Sequence, residues 1–438
     1  MNAGTKLVLS LRAKSPDQPI PAASLRFRLT NDGALVDRCE LSDVLYELNW
    51  NTPGAARPPR KPDARSLPKF VVLYIHGWKH GGEDDDYANF AALIKRFANH
   101  PTNADEKQVL GVYVDWNANS KVLPFDRFPF DNLTFWSKQR VADRIAQSGV
   151  TTKIISSISS VMSEGDSEGG DPATNQFITI GHSFGARILF SATNQSLIYD
   201  TEKAHPGSRH GYYRKISGIA NMVILLNPAF ETARYTALDS FIRTQEHFAN
   251  DQLPLLLSVS SDGDWATQIF FPLGQLLDHY RSPPEKLLPF TLRRLLDHYT
   301  SGSEITSLGN YPEYQTHSPV REHSPACGLR TRNRLSESFV ANRLCLARDQ
   351  VRYHNGIMQP RNPFLIARTD KSIISGHTDI WNPTFLNWLF AYVNELGNQP
   401  RPRLLDKKAQ EAPERSSAAE PTITAPSMPA SLDTAAKR

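Results

Sequence analysis

The sequence predicts an α/β fold, a mainly parallel central sheet flanked by helices, and three observations carry that prediction. Short apolar runs rich in branched residues recur through the middle of the chain. Stretches of helical periodicity separate them. One run ends in a serine bracketed by glycines, "GHSFG" at 181–185, and helix-like sequence follows at once.

The runs are "FVVLYI" (70–75), "VLGVYV" (109–114), "FITI" (177–180), "MVILL" (222–226) and "LPLLLSVS" (253–260). Each has the apolar continuity of a strand buried on both faces, which parallel sheets require because their crossovers cover both sides. Upstream, "LVLSLR" and "SLRFRL" read as edge strands. Between the runs, Ile154, Ile155, Ile158, Val161 and Met162 share one helical face, and Phe385, Trp388, Leu389, Tyr392, Val393 and Leu396 do the same near the end. Strand alternating with helix is the signature of βαβ units.

Composition sets the limits. Residues 50–68 are rich in Pro and Arg and read as a connector, so residues 1–68 form an amino-terminal strand-and-linker segment. The α/β domain spans 69–396. From 397 to 438 the chain is Pro/Ala/Glu/Ser-rich with almost no aromatic residues and reads as a disordered tail. A net charge of +4 over 438 residues argues against nucleic acid as a main partner. The three cysteines, Cys39, Cys327 and Cys345, match no metal spacing and cannot all pair, which suits a reducing compartment. No apolar run approaches the roughly 18 residues of a bilayer span, and the start lacks a secretory pattern. Cytoplasmic synthesis without standard export is the expectation.

Ser183 is the centre of the functional reading. A strand that turns sharply into a helix forces the serine between them into a strained conformation and pushes its hydroxyl out of the sheet. Glycines two residues either side are needed to avoid collision. A serine hydroxyl is a weak nucleophile and needs a base, an acid to orient the base, and donors for the oxyanion. The backbone N–H of Gly77 or Trp78, after the strand "FVVLYI", and that of Phe184, after the serine, are the candidate oxyanion donors. Asp264, Asp262 and Glu231 each follow a later strand as candidate acids. Asp264 is favoured because it sits further into its loop, whereas Asp262 suits an Asp-Gly turn. The base is read as His377, on the loop before the last helix. The order Ser183, Asp264, His377 is that of one hydrolase fold and not of the other two common triad folds.

These pieces make the chain resemble the α/β-hydrolases, and more narrowly the bacterial serine esterase and lipase-like proteins among them. The matching stretches are "YIHGW", "VDWN", "LTFWSKQRVADRI", "GHSFGAR", "SSDGDWAT" and "SGHTDIW", spread over residues 70 to about 395. The chain departs at Asn117-Ala118, where related proteins often carry Arg-Gly. The resemblance implies hydrolysis of an ester or related acyl bond through an acyl-serine, with no cofactor and no metal. A small-molecule or lipid ester is the expected substrate, with peripheral lipid contact open.

Other readings compete. A thioesterase or peptidase would use the same triad, and a non-catalytic interaction protein could reuse the scaffold. His76, His80 and Asp84–Asp86 offer metal-type donors, though the acids also suit a helix start. Residues 275–355 are expected to form an insert or cap over the site. Their "LLDHY" repeat (276–280 and 295–299) suggests paired helices, and the seven arginines against three acids in 321–352 suggest an anionic contact. The aromatic stretch from Phe125 to Trp136 could line an acyl pocket or pack as a loop.

Overall fold

A computed structural model of the chain describes residues 22–49, 69–78, 85–99, 107–118, 133–164, 175–205, 214–270 except 246 and 265, 302–327, 335–349 except 337, and 359–399 except 398. The expected strand at 7–12, the connector, His80, Asp84, both "LLDHY" segments and the tail beyond 399 lie outside these residues. So do Phe125, Phe128 and Phe130.

The described strands build one ten-stranded sheet. In chain order they are β1 (Ala22–Leu29), β2 (Lys69–Ile75), β3 (Gln108–Trp116), β4 (Gln176–His182), β5 (Met222–Leu226), β6 (Leu256–Ser261), β7 (His317–Arg321), β8 (Ser338–Ala341), β9 (Leu344–Arg348) and β10 (Phe364–Thr369). Their spatial order is β1-β3-β2-β4-β5-β6-β10-β7-β9-β8. Every pairing from β1 to β7 is parallel, and only β9 with β7 and with β8 is antiparallel. All five apolar runs are strands. The run at 253 enters the sheet only at Leu256, just after Pro254, which has no N–H to give a ladder.

Alternate residues of each strand feed opposite faces. Val71, Leu73 and Ile75 of β2 join one core, and Phe70, Val72 and Tyr74 join the other. The first core is roofed by α1 (Cys39–Asn49), α3 (Leu133–Gln147), α4 (Val150–Glu164), α5 (Phe184–Ala204) and α6 (Ala233–Thr244). The second is roofed by α2 (Asp85–Ala98) and α7 (Pro383–Gly397). Asp85 and Asp86 stand in the first turn of α2, where the helix dipole favours them. Asp86 is buried and accepts from Tyr74 (3.1 Å), Tyr113 (3.2 Å) and Trp381 (3.0 Å), so it pins β2, β3 and the segment before α7 together. No described helix is long and apolar enough to cross a membrane.

Strand order also locates a site. The chain leaves β2 toward β3 on one side and leaves β4 toward β5 on the other. Connections that diverge from adjacent strands open a crevice at their carboxyl ends, where open α/β sheets bind ligands. Ser183 follows β4 directly, and Gly77 lies two residues beyond β2.

Of the expected insert, one described part extends the sheet and another lies along its carboxyl edge. Residues 317–348 add β7, β9 and β8 to the sheet beyond β10, with Asn342 (φ 49°) and Arg343 (φ 66°) forming the two-residue turn of the β8–β9 hairpin. Residues 306–310 run along the carboxyl ends of β5 and β6: Thr306 accepts from the Thr232 N–H (2.9 Å), and Leu308–Asn310 packs on β6 and β10. The cysteine reading is corrected too. Cys327 and Cys345 form a disulfide across Cα atoms 5.8 Å apart, and Cys39 is free and exposed. An odd count excludes the pairing of all three, not of two that a strand and a neighbouring turn bring together.

His317 on β7 is buried, and burial first, then the Arg348 guanidinium, push its ring down to about 3 from an ordinary 6.5. The folded chain therefore binds this proton less readily than the unfolded chain. Stability from the neutral ring is full above about pH 6.5 and is lost as pH falls toward 3. His317→Gln is expected to flatten the pH dependence of unfolding free energy below pH 6.5, by up to about 1.4 kcal/mol per pH unit. Urea titrations of both proteins at several pH values check this, and parallel curves would refute it.

Candidate active site

The chain turns from β4 into α5 through a single residue. Ser183 has φ 56° and ψ −120°, a region that non-glycine residues avoid and that stored strain keeps for working sites. Surrounding bonds over-determine it. Its N–H donates to Leu226 O (3.0 Å), and its carbonyl accepts from Ala186 N–H (3.1 Å) and Ala229 N–H (3.2 Å). The flanking glycines are steric requirements. A Cβ on Gly185 would run into the Ile75 carbonyl of β2, and one on Gly181 would come within 2.7 Å of the Ala186 Cα.

Three side chains converge here. The Ser183 hydroxyl lies 2.7 Å from His377 Nε2. On the other side of the ring, Nδ1 lies 2.9 Å from Asp264 Oδ1, an ion-pair contact whose N–H is not aligned for a straight hydrogen bond. Catalytic contacts often sit loose without substrate and tighten in the reacting complex. Asp264 is fully buried. Thr267 donates to it twice, from its hydroxyl (2.7 Å) and its N–H (3.2 Å). Burial pushes this carboxyl up, but the neighbouring His377 ring and the hydrogen bonds from Thr267 outweigh it and hold it below its ordinary value.

The other two acids go elsewhere. Asp262 is half exposed and pairs with Arg368. Glu231 belongs to a buried cluster behind the serine turn. Arg187, in the first turn of α5, bonds Asp143 of α3 through two nitrogens (2.7 and 2.8 Å) and Glu231 through one of them (3.0 Å); Arg234 completes the cluster. Burial raises the Glu231 carboxyl, yet Arg187 and Arg234 bring it below its usual value. Arg187→Ala is expected to destabilise the fold by roughly 2–3 kcal/mol, since it removes a buried guanidinium from two partly buried carboxylates that keep only Arg234. Denaturant unfolding measures it, and a change under about 1 kcal/mol would contradict it.

The candidate oxyanion donors flank the serine. Phe184 opens α5, so its N–H points from the positive helix end. Gly77 abuts the serine closely enough that a Cβ there would stand 2.9 Å from Ser183 Cβ. Trp78 follows, partly buried. The loop is held through His76, which is buried: Nδ1 lies 2.8 Å from Gly77 O, and Nε2 meets Trp116 N–H and Asp115 Oδ1, each at 3.1 Å. Burial raises the Asp115 carboxyl, but His76 and the Arg26 guanidinium keep it low. Asp86 and His76, the buried two of the three described members of the alternative metal set, thus serve separate networks, and Asp85 is exposed at the start of α2.

Sequence reasoning missed several supporting groups. Thr267, three residues after Asp264, is itself met by Asn310 Nδ2 (3.2 Å) from the 306–310 segment. His182 and Asn227 both reach the His377 carbonyl at 2.9 Å. Only the polar Asn immediately after the buried run "MVILL" offered a signal. No protein-family model matches the chain, and no curated protein matches it either.

Proposed function

We propose that the protein is a serine hydrolase of α/β-hydrolase type that cleaves a carboxylic ester through an acyl-serine intermediate. The observation that carries this reading is the continuous Ser183–His377–Asp264 contact chain at a strained strand-to-helix turn. It is supported by the placement of the three groups at carboxyl ends of β4, β6 and β10, the edge where such sheets bind ligands.

The chemistry follows from the geometry. With Asp264 facing Nδ1, the neutral ring keeps its proton there and presents Nε2 as an acceptor to the serine hydroxyl. Ser183 Oγ attacks the ester carbonyl as His377 takes the proton, and the anionic oxygen that develops is met by the N–H of Phe184 with Gly77 or Trp78. His377 then protonates the departing alcohol. Water, deprotonated by the same ring, releases the acid and restores the serine. Purified protein tested with a fluorophosphonate probe and a panel of acyl esters of rising chain length, run beside phospholipids, decides the matter. Covalent labelling at Ser183 with ester turnover is the expected result. Neither labelling nor turnover of any member would end the reading.

A further inference from the structure

We infer that Asn227 is a positioning residue that sets the His377 ring by holding its backbone carbonyl, with His182 as the second donor; this rests on the triad reading above. His377 is carried by a loop, not a strand: β10 ends at Thr369 and α7 begins at Pro383. Both ring nitrogens are engaged by Ser183 and Asp264, so the ring must be aimed from its own backbone. The ring also leans on that of His182, centroids 5.0 Å apart, while the preceding Gly376 faces open space, where an added Cβ would meet nothing within 4 Å.

The carbonyl of His377 is instead gripped from two strands. Asn227 Nδ2, just past β5, donates to it at 2.9 Å and reaches Gly376 O at 3.4 Å. His182 Nε2, the last residue of β4, lies 2.9 Å from the same oxygen, which fixes a proton on that nitrogen. The opposite end of the Asn227 amide faces the acid. Its Oδ1 accepts from the Ser261 N–H (3.1 Å), three residues before Asp264. One planar side chain therefore spans the end of the acid-bearing strand and the loop of the base.

The residue type is specific to that task. A primary amide offers a donor and an acceptor at fixed separation on one rigid group. Aspartate would set an acceptor against the His377 carbonyl, and leucine offers neither function. The site also tolerates backbone strain to keep the group there. Asn227 is fully buried at φ 42°, and its N–H is tied to Val259 O at 2.8 Å. Misplacing a reacting group by about 1 Å costs on the order of 10²-fold in rate, so a loosened carbonyl is felt at the 2.7 Å serine contact.

The test is a double-mutant cycle between Asn227→Leu and His377→Ala, read by ester turnover and by the rate of fluorophosphonate labelling. Asn227→Leu is expected to lower kcat about 10- to 100-fold with KM within about 2-fold. In the His377→Ala background the same change is expected to alter the residual rate less than about 2-fold, because its effect passes through the ring. Equal losses in both backgrounds, or no loss in the first, would overturn the inference. Asn227→Asp, of the same size, is carried in parallel, so a folding failure of the leucine variant leaves the cycle standing. The downfield ring N–H resonance of His377 gives a readout without substrate. It is expected in the unsubstituted protein and lost or broadened in Asn227→Leu. If the unsubstituted protein neither labels nor turns over any ester, the hydrolase reading fails, and this resonance alone decides the positioning role: unchanged in the variant, it sinks it.

Discussion

Ser183→Ala is expected to abolish turnover and covalent labelling while leaving a folded protein. The serine of a protease triad is worth on the order of 10⁶ in kcat, and what survives its removal comes from the oxyanion donors and binding. The same scale applies if Ser183 Oγ is the attacking atom. Stability should move little. The hydroxyl caps no helix N–H, and the backbone bonds that hold the turn come from its amide and carbonyl. Circular dichroism and a denaturant midpoint establish folding, and intact-mass spectrometry reads the labelling. An alanine variant that still labels at the unsubstituted rate would mean another nucleophile.

The second large effect separates two aspartates two residues apart. Asp264→Asn is expected to cost about 10⁴ in kcat, as in the serine-protease example, because an amide facing Nδ1 favours the wrong ring tautomer. Asp262→Asn should leave the rate within about 2-fold, since that side chain faces Arg368 at the surface, where an exposed pair contributes little. A collapse in the Asp262 variant with the Asp264 variant unharmed would reverse the assignment.

Much of this arrangement was legible from residues alone, for a physical reason. Strands buried on both faces must be apolar throughout, so β2 to β6 announce themselves, and the strand–GHSFG–helix context places Ser183 without any contact map. The distinction between Asp264 and Asp262 was readable from loop position. The outer strands were not. β7, "HSPVR", carries a proline and three polar or charged residues, and it is a strand only because β10 and β9 flank it. Part of the expected insert lies there: low apolar content looks the same in a covering segment and at the margin of a sheet. Asn227 offered only its polarity after a buried run, and the task it shares with His182 was hidden for a different reason. Their partner is a carbonyl about 150 residues or more further along, and a backbone acceptor leaves no trace in residue identity.

The sequence distance between Ser183 and His377 has a consequence for how the protein comes into being. Ser183 and His377 are 194 residues apart, and the strand that precedes the histidine is the last of the described strands in chain order. Everything from β1 to β6 can be made while the serine still lacks its base. Long loops are closed late, because their entropy must be overcome before the contact repays it. On the hydrolase reading proposed above, a nascent or partly refolded chain carries an inert hydroxyl until then, and recovery of labelling in a refolding experiment is expected to time the docking of β10.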